Sequence, residues 1–263
     1  MSRAPRHLRE AFTTVLPPVL ALAVLLAVWQ TVASAGVVGA GILPAPSRIV
    51  EQGVDQGDVL LRHTLPTLTA TSLGFCLSIA VAFVVAITLD FSRVLHSAVL
   101  PLLIIGQTLP LIALAPLVVL WFGFGLLPKV LLVAFVTFFP MVVGLLRGFT
   151  STDPEAEHLL RSMGAGRRRV FTLLRLPSAM PSFFSSLRIS ITYAVVGAVF
   201  AEYAGAVAGL GVYMQSAKNI FRTDLVLAAV TVSSALTLVL YLLVVVVERV
   251  ALPWLQTERD PVP

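Results

Sequence analysis

Residues able to do covalent or metal chemistry are few in this chain. Its four histidines, His7, His63, His96 and His158, are scattered, and no His-Glu-x-x-His run sets two of them on one helix face around a metal. No Gly-x-Ser-x-Gly elbow presents a serine nucleophile. The only lysines are Lys129, after Pro128, and Lys218, after Ala217. Neither stands in the Gly-Lys-Ser or Gly-Lys-Thr setting in which backbone amides and a lysine cradle phosphates. The single cysteine, Cys76, lies in an apolar run; it allows no intrachain disulfide and no cysteine metal site, and reads as a small buried hydrophobe. No catalytic residue, metal site or cofactor of its own is expected.

The chemistry that remains is that of polar groups in apolar surroundings. Gln107, Thr108 and Tyr193 sit inside long apolar runs and, with Pro110 and Glu202, form the candidate lining of a translocation path. Hydrogen bonding between helices accounts for the first three equally well. Glu202 is the one acidic residue well inside a run. It reads either as a hydrogen-bonded structural carboxylate or as a group on the solute's path. An ion-coupled secondary carrier is the rival reading of such a chain, but carriers work through membrane-embedded carboxylates, and one is thin support for a proton relay.

The elements that must position these groups are membrane helices. The chain has 263 residues, 58% hydrophobic and 12% charged, with a mean hydropathy of +0.97. A soluble domain carries roughly twice that charged fraction, about 25%. Six apolar runs, Val15 to Ala35, Thr64 to Leu89, Val99 to Phe122, Val130 to Leu146, Ile189 to Ala208 and Leu225 to Val247, are each long enough for a transmembrane helix. Gly106, Pro110, Pro116 and Pro140 inside them predict kinked, tightly packed helices. The expected class is thus all-α and polytopic: a tail over 1–14, a six-helix membrane domain over 15–250, and a second tail over 251–263. Arg3, Arg6 and Arg9 before the first run also outline a secretory signal, but the further runs favour a retained anchor.

Basic residues set the orientation, because Lys and Arg are retained on the cytoplasmic side. With the N-terminus inside, 13 of the 18 fall in cytoplasmic segments and the rest, Arg48, Arg62, Lys129, Lys218 and Arg222, lie outside. Both termini are therefore expected in the cytoplasm. The arginines alternate with apolar runs instead of forming one basic face, which argues against nucleic acid as a partner despite a pI near 10.0.

Two loops are long enough for structure of their own. The external one, Gly36 to His63, predicts a short surface helix. The cytoplasmic one, about 149–188, opens on Asp153-Pro154-Glu155, a helix start with an aspartate cap and proline in the first turn. Ala156, Leu159, Leu160 and Met163 then share one face, and Gly164 stands where a left-handed cap is expected. A second short helix, about Arg167 to Leu174, is predicted to end before Pro177.

This loop resembles that of the permease subunits of ATP-binding-cassette importers, whose signature reads Glu-Ala-Ala, three residues, Gly, nine residues, Ile-x-Leu-Pro. Here the glycine is Gly164, followed by Ala165, and the ending is Leu174-Arg175-Leu176-Pro177. His158-Leu159-Leu160 replaces Glu-Ala-Ala, with Glu155-Ala156-Glu157 just before it. The resemblance extends from about Ile42 to Trp254 and includes Gln107-Thr108-Leu109-Pro110, Trp121-Phe122-Gly123, Gly205 and Gly209-Leu210-Gly211. These are most similar to the nitrate, sulfonate, taurine and thiamine-precursor group; Phe138-Phe139-Pro140, the run from Val195 to Glu202, and Glu248-Arg249 lean toward the pyrimidine and riboflavin branch. The resemblance implies a six-helix permease of the bacterial inner membrane paired with a second copy of itself. It also implies two ATPase subunits that carry the ATP and Mg, and an external solute-binding protein. The docking loop for the ATPase is then Glu155, Glu157, Leu160, Met163, Gly164, Ala165, Leu176 and Pro177.

Overall fold

The computed structural model describes residues 6–36, 39 and 41–254, with side chains from residue 16 onward. Arg3, Arg259 and most of the C-terminal tail fall outside what is described, as do the side chains of Arg6 and Arg9. Among the described residues every regular element is helical: α1 (Arg6–Ser34), α2 (Pro46–Asp55), α3 (Gly57–Phe91), α4 (Arg93–Gly106), α5 (Leu111–Phe122), α6 (Leu126–Thr150), α7 (Pro154–Ser162), α8 (Arg167–Val170), α9 (Leu176–Tyr203), α10 (Leu210–Asn219) and α11 (Thr223–Ala251). A single π-helical stretch, Phe171–Arg175, joins α8 to α9. Among the described residues five spans are long and apolar enough to cross a bilayer: Leu16–Ser34, Gly57–Phe91, Leu126–Thr150, Arg167–Tyr203 and Thr223–Ala251. The α4–α5 pair makes a sixth if it serves as one crossing.

Three expectations about helix boundaries change. The run Val99 to Phe122 is two helices, bent by 101° at Gln107–Pro110. Hydropathy is continuous there, but Pro110 lacks an amide hydrogen and pushes the preceding residue out of helical conformation. The helix of the fifth run ends at Tyr203, and residues 204–209 are irregular before α10. Finally, the helix that starts at Arg167 does not stop at Pro177. It continues to Tyr203, because the π turn just upstream bonds the Leu176 amide to the Phe171 carbonyl and absorbs the clash and lost hydrogen bond that proline imposes.

The chain divides into two compact units, and each is considered by itself. In the unit formed by Met1–Leu60 and Met214–Thr231, the described face of α1 is almost wholly exposed, as a lipid-facing helix is. The predicted surface helix is α2, with Pro46 in its first turn. It is held by an ionic cluster in which Asp224 pairs with Arg48 at 3.2 Å and with Arg222 at 2.9 Å, while Arg222 donates to Gln52 at 2.6 Å.

In the unit formed by Leu61–Tyr213 and Val232–Pro263, α6 and α9 are the central pair. They approach closely because the contact residues are small: a Cβ on Gly148 would lie 2.6 Å from the Cα of Ala179, and Gly144 faces Ser186. Without a hydrophobic drive between helices in lipid, such small-residue faces give the dispersion contact that holds a pair together. The surrounding core is aromatic and aliphatic, with Phe75, Met141, Phe149, Phe183, Ile191 and Val244 buried in one cluster. Cys76 is exposed, contrary to expectation; it lies on the α3 face that also exposes Leu73 and Leu77, which reads as lipid-facing.

Candidate functional site: a docking helix and a mid-chain cavity

The first site is α7. Asp153 caps it by accepting from the Glu155 amide at 2.9 Å, as its sequence predicts. Its other end closes in a Schellman turn: the Ala165 amide donates to the Leu160 carbonyl at 2.9 Å and the Gly164 amide to that of Arg161 at 3.0 Å. Gly164 has φ +83, a left-handed conformation. The two terminal motifs fix α7 as a separate nine-residue helix. None of its residues is buried, and its apolar side is uncovered, with Leu159 62% and Met163 75% exposed; Ala156, Leu160 and Ala165 are half-buried.

A frame of arginines ties the segment after α7 to the C-terminal end of α3. Arg175 pairs with Asp90 at 2.8 Å and donates to the Phe149 carbonyl at 3.3 Å. Arg167 donates to the Phe91 carbonyl at 2.8 Å, and its guanidinium lies 4.7 Å from the Phe91 ring centroid. Cations at the C-terminal end of α3 meet its exposed carbonyls and the negative end of its dipole, so the arrangement is favourable beyond the ion pair. On α7 itself Glu157 accepts from Arg161 at 2.7 Å, and that hydrogen bond lowers the Glu157 carboxyl below the ordinary carboxylate range. Leu176 and Pro177 lie at the start of α9, just past the π turn.

The second site is the break between α4 and α5. It brings Gln107 to Tyr193 of α9 beside Phe135 and Phe139 of α6, around a cavity of about 370 Å³. Thr108 turns its hydroxyl onto the Ile105 carbonyl at 2.7 Å, and Pro110 caps α5; neither lines this cavity.

Glu202 lies apart from that cavity, 1% exposed, in a polar node at the end of α9. Thr67 of α3 donates to one carboxylate oxygen at 2.8 Å and the Gly211 amide to the other at 2.8 Å. The Leu210 amide donates to the Thr67 hydroxyl at 2.9 Å, the His63 ring meets the backbone of Gly209, and the half-polar Lys129 chain ends on the Ala208 carbonyl at 3.0 Å. Gly209 is required here: its φ is +143, and a Cβ would overlap the Glu202 carboxylate. The roles of His63, Thr67 and Lys129 were not readable beforehand. Their only signal is the Gly209-Leu210-Gly211 pattern, whose purpose appears once the carboxylate is placed between α3 and α10. Among the described residues no group of three or more His, Cys, Asp and Glu side chains gathers as a metal site would.

A multi-helix bundle with a capped helix projecting between two of its spans defines a class, and the chain matches that class directly. Residues 74–251 match the family described as binding-protein-dependent transport system inner membrane component, and the chain belongs to it. It is 36% identical to the formylaminopyrimidine transport permease protein ThiX of Halalkalibacterium halodurans, over 91% of this chain and 96% of that one. It is 34% identical to the riboflavin transport system permease protein RibX of Chloroflexus aurantiacus, over 89% and 88%. Taurine and putative aliphatic sulfonate transport permeases of Escherichia coli match at 31% and 27%. Among solved structures, an amino acid ABC transporter chain shares the fold with a TM-score of 0.62 and 15% identity, covering 74% of this chain and 95% of that one. The protein is a multi-pass membrane protein of the ABC importer permease family.

Proposed function

We propose that this chain forms the translocation pathway of an ATP-driven importer, and that α7 is the element through which a separate ATPase drives it. The observation that carries the proposal is α7: a short helix fixed at both ends, with its apolar face uncovered and its base braced by Arg167 and Arg175. An uncovered apolar face of this kind belongs against a partner. A rigid brace to α3 and α9 is what would convert movement of that partner into movement of the spans. Glu155, Glu157, Leu160, Met163, Gly164 and Ala165 then form the docking surface, and Leu176 and Pro177 pass its motion into α9. The ATPase carries the ATP and Mg.

Two copies of this chain, two ATPases and an external solute-binding protein make up the assembly on this reading. With a single bundle in each chain, a two-fold partner is what would close the pathway. Both termini and α7 lie in the cytoplasm on this reading, which the distribution of basic residues supports. The solute is small and polar or heterocyclic, in the range covered by aminopyrimidine, riboflavin, sulfonate and nitrate-like compounds. Uptake into proteoliposomes tests the class. It should require co-reconstituted ATPase and ATP and should survive collapse of ion gradients. Uptake by this chain alone, driven by a gradient, would instead establish the carrier.

A further inference from the structure

The cavity at the α4–α5 break has a lining that discriminates among those solutes. We infer that it is a solute subsite selecting a planar, uncharged aromatic heterocycle with an amidine-like or amide-like edge, such as an aminopyrimidine, over a sulfonate or nitrate-like anion. The inference rests on the importer reading above and narrows its substrate class.

Its walls are rings. Phe135 and Phe139 meet edge-to-face with centroids 4.9 Å apart, Tyr193 lies across from them on α9, and Pro140 continues the apolar floor. Gly106 is what lets Phe139 in, since a Cβ there would overlap the Phe139 ring. Flat π faces favour a flat solute through offset or edge contacts. At the break, the Gln107 side chain has no protein hydrogen-bond partner among the described residues, and neither has the Tyr193 hydroxyl. A carboxamide offers one donor and one acceptor side by side. That pair matches a ring nitrogen beside an exocyclic amine, the pattern by which Asn and Gln read adenine.

The lining contains no Lys, Arg or His. An anion entering it would lose its hydration against apolar rings with only one amide and one phenol in exchange, a large cost for an unpaired charge. The volume, about 370 Å³, lies toward the small end of ligand pockets and suits a one- or two-ring solute. Nor is the cavity isolated. Gln107 also lines a neighbouring cavity of about 490 Å³ along α4 and α6, and that one shares His96, Leu146 and Thr150 with a cavity of about 740 Å³ beneath α7. The three cavities are thus neighbours, sharing wall residues from the heterocycle site toward the end of the unit where the ATPase would dock.

Binding is measured on the purified permease–ATPase complex without its binding protein, so that only the membrane site contributes. Formylaminopyrimidine, riboflavin and taurine are the probes. At least one planar probe should bind more tightly than taurine by tenfold or more, and Gln107→Ala and Tyr193→Leu should each weaken that binding by about tenfold, the scale of one lost bidentate or stacking contact. Should a variant fail to fold, a cysteine placed at Ile189 in a Cys76→Ser background, on the cavity wall, should be protected from alkylation by the planar probe and not by taurine. Taurine binding as tight as both planar probes, or planar binding indifferent to both variants, would overturn the site. ATP-dependent uptake, measured on the same preparation, separates this from failure of the importer reading. Uptake that needs no ATPase sinks the importer, whereas ATP-driven uptake with no planar binding sinks only the subsite.

Discussion

At the scale of single residues, the polar groups placed in apolar runs have separated into two kinds. Glu202 has both carboxylate oxygens occupied by protein donors, so it serves the joint between α3, α9 and α10. Gln107 and Tyr193 keep their polar atoms free at a cavity. Sequence alone could not divide them, because the division depends on which residues distant in the chain come to lie opposite. Glu202→Ala would leave the buried Gly211 amide without its acceptor, at a cost of about 1–3 kcal/mol, while the Thr67 hydroxyl could still donate to the His63 carbonyl at 3.1 Å. The expected result is a melting temperature several degrees lower in detergent, with uptake per folded molecule retained. Lost uptake at an unchanged melting temperature would place Glu202 on the solute's path after all.

At the scale of elements, what was legible is what is local. The start and stop of α7 depend on Asp153, Pro154 and Gly164 within one short segment, and both ends form as their residue types dictate. The bend at Gln107–Pro110 was announced by proline but not its size, since hydropathy runs unbroken through it. Pro177 read as a stop because its effect on a plain α-helix is disruptive; the π turn that absorbs it involves a one-residue slip that no local pattern announces. Two predictions follow at this scale. A Cβ at Gly164 would meet no atom within 4 Å, so the main cost of Gly164→Val is the backbone, about 1–2 kcal/mol for a side chain held at positive φ. The protein should insert normally yet co-purify with less ATPase and show weaker substrate-stimulated hydrolysis. Pro177→Ala restores the missing amide and allows the π turn to relax, which turns the α7 side relative to α9 by about 100° per residue of slip. Stability should hold while coupling of hydrolysis to uptake falls several-fold; full coupling would show that the π turn sets no register.

At the scale of the whole molecule, the all-α polytopic class was legible because bilayer thickness forces long apolar runs, and the family because the segment from Asp153 to Pro177 carries the loop pattern it resembles. Among the described residues five of the six runs are single spans and the other is the bent α4–α5 pair. The orientation of those runs is the strongest statement that charge makes and the one most directly tested. Arg161, Arg167, Arg168, Arg169 and Arg175 crowd the segment around α7, whereas α2 carries Glu51 and Asp55 with one arginine, Arg48. On the proposed orientation, in which arginine-rich segments stay inside, α7 is cytoplasmic and α2 external. Single cysteines at Asp55 and Ser162, both exposed, report the two sides; Cys76 must first become serine, because it too is exposed. In intact cells an impermeant thiol reagent should label Asp55→Cys and leave Ser162→Cys untouched until the membrane is opened. Labelling of Ser162→Cys in sealed cells would invert the topology. It would also put α7 on the side without ATP, and the docking of an ATPase there would fail with it.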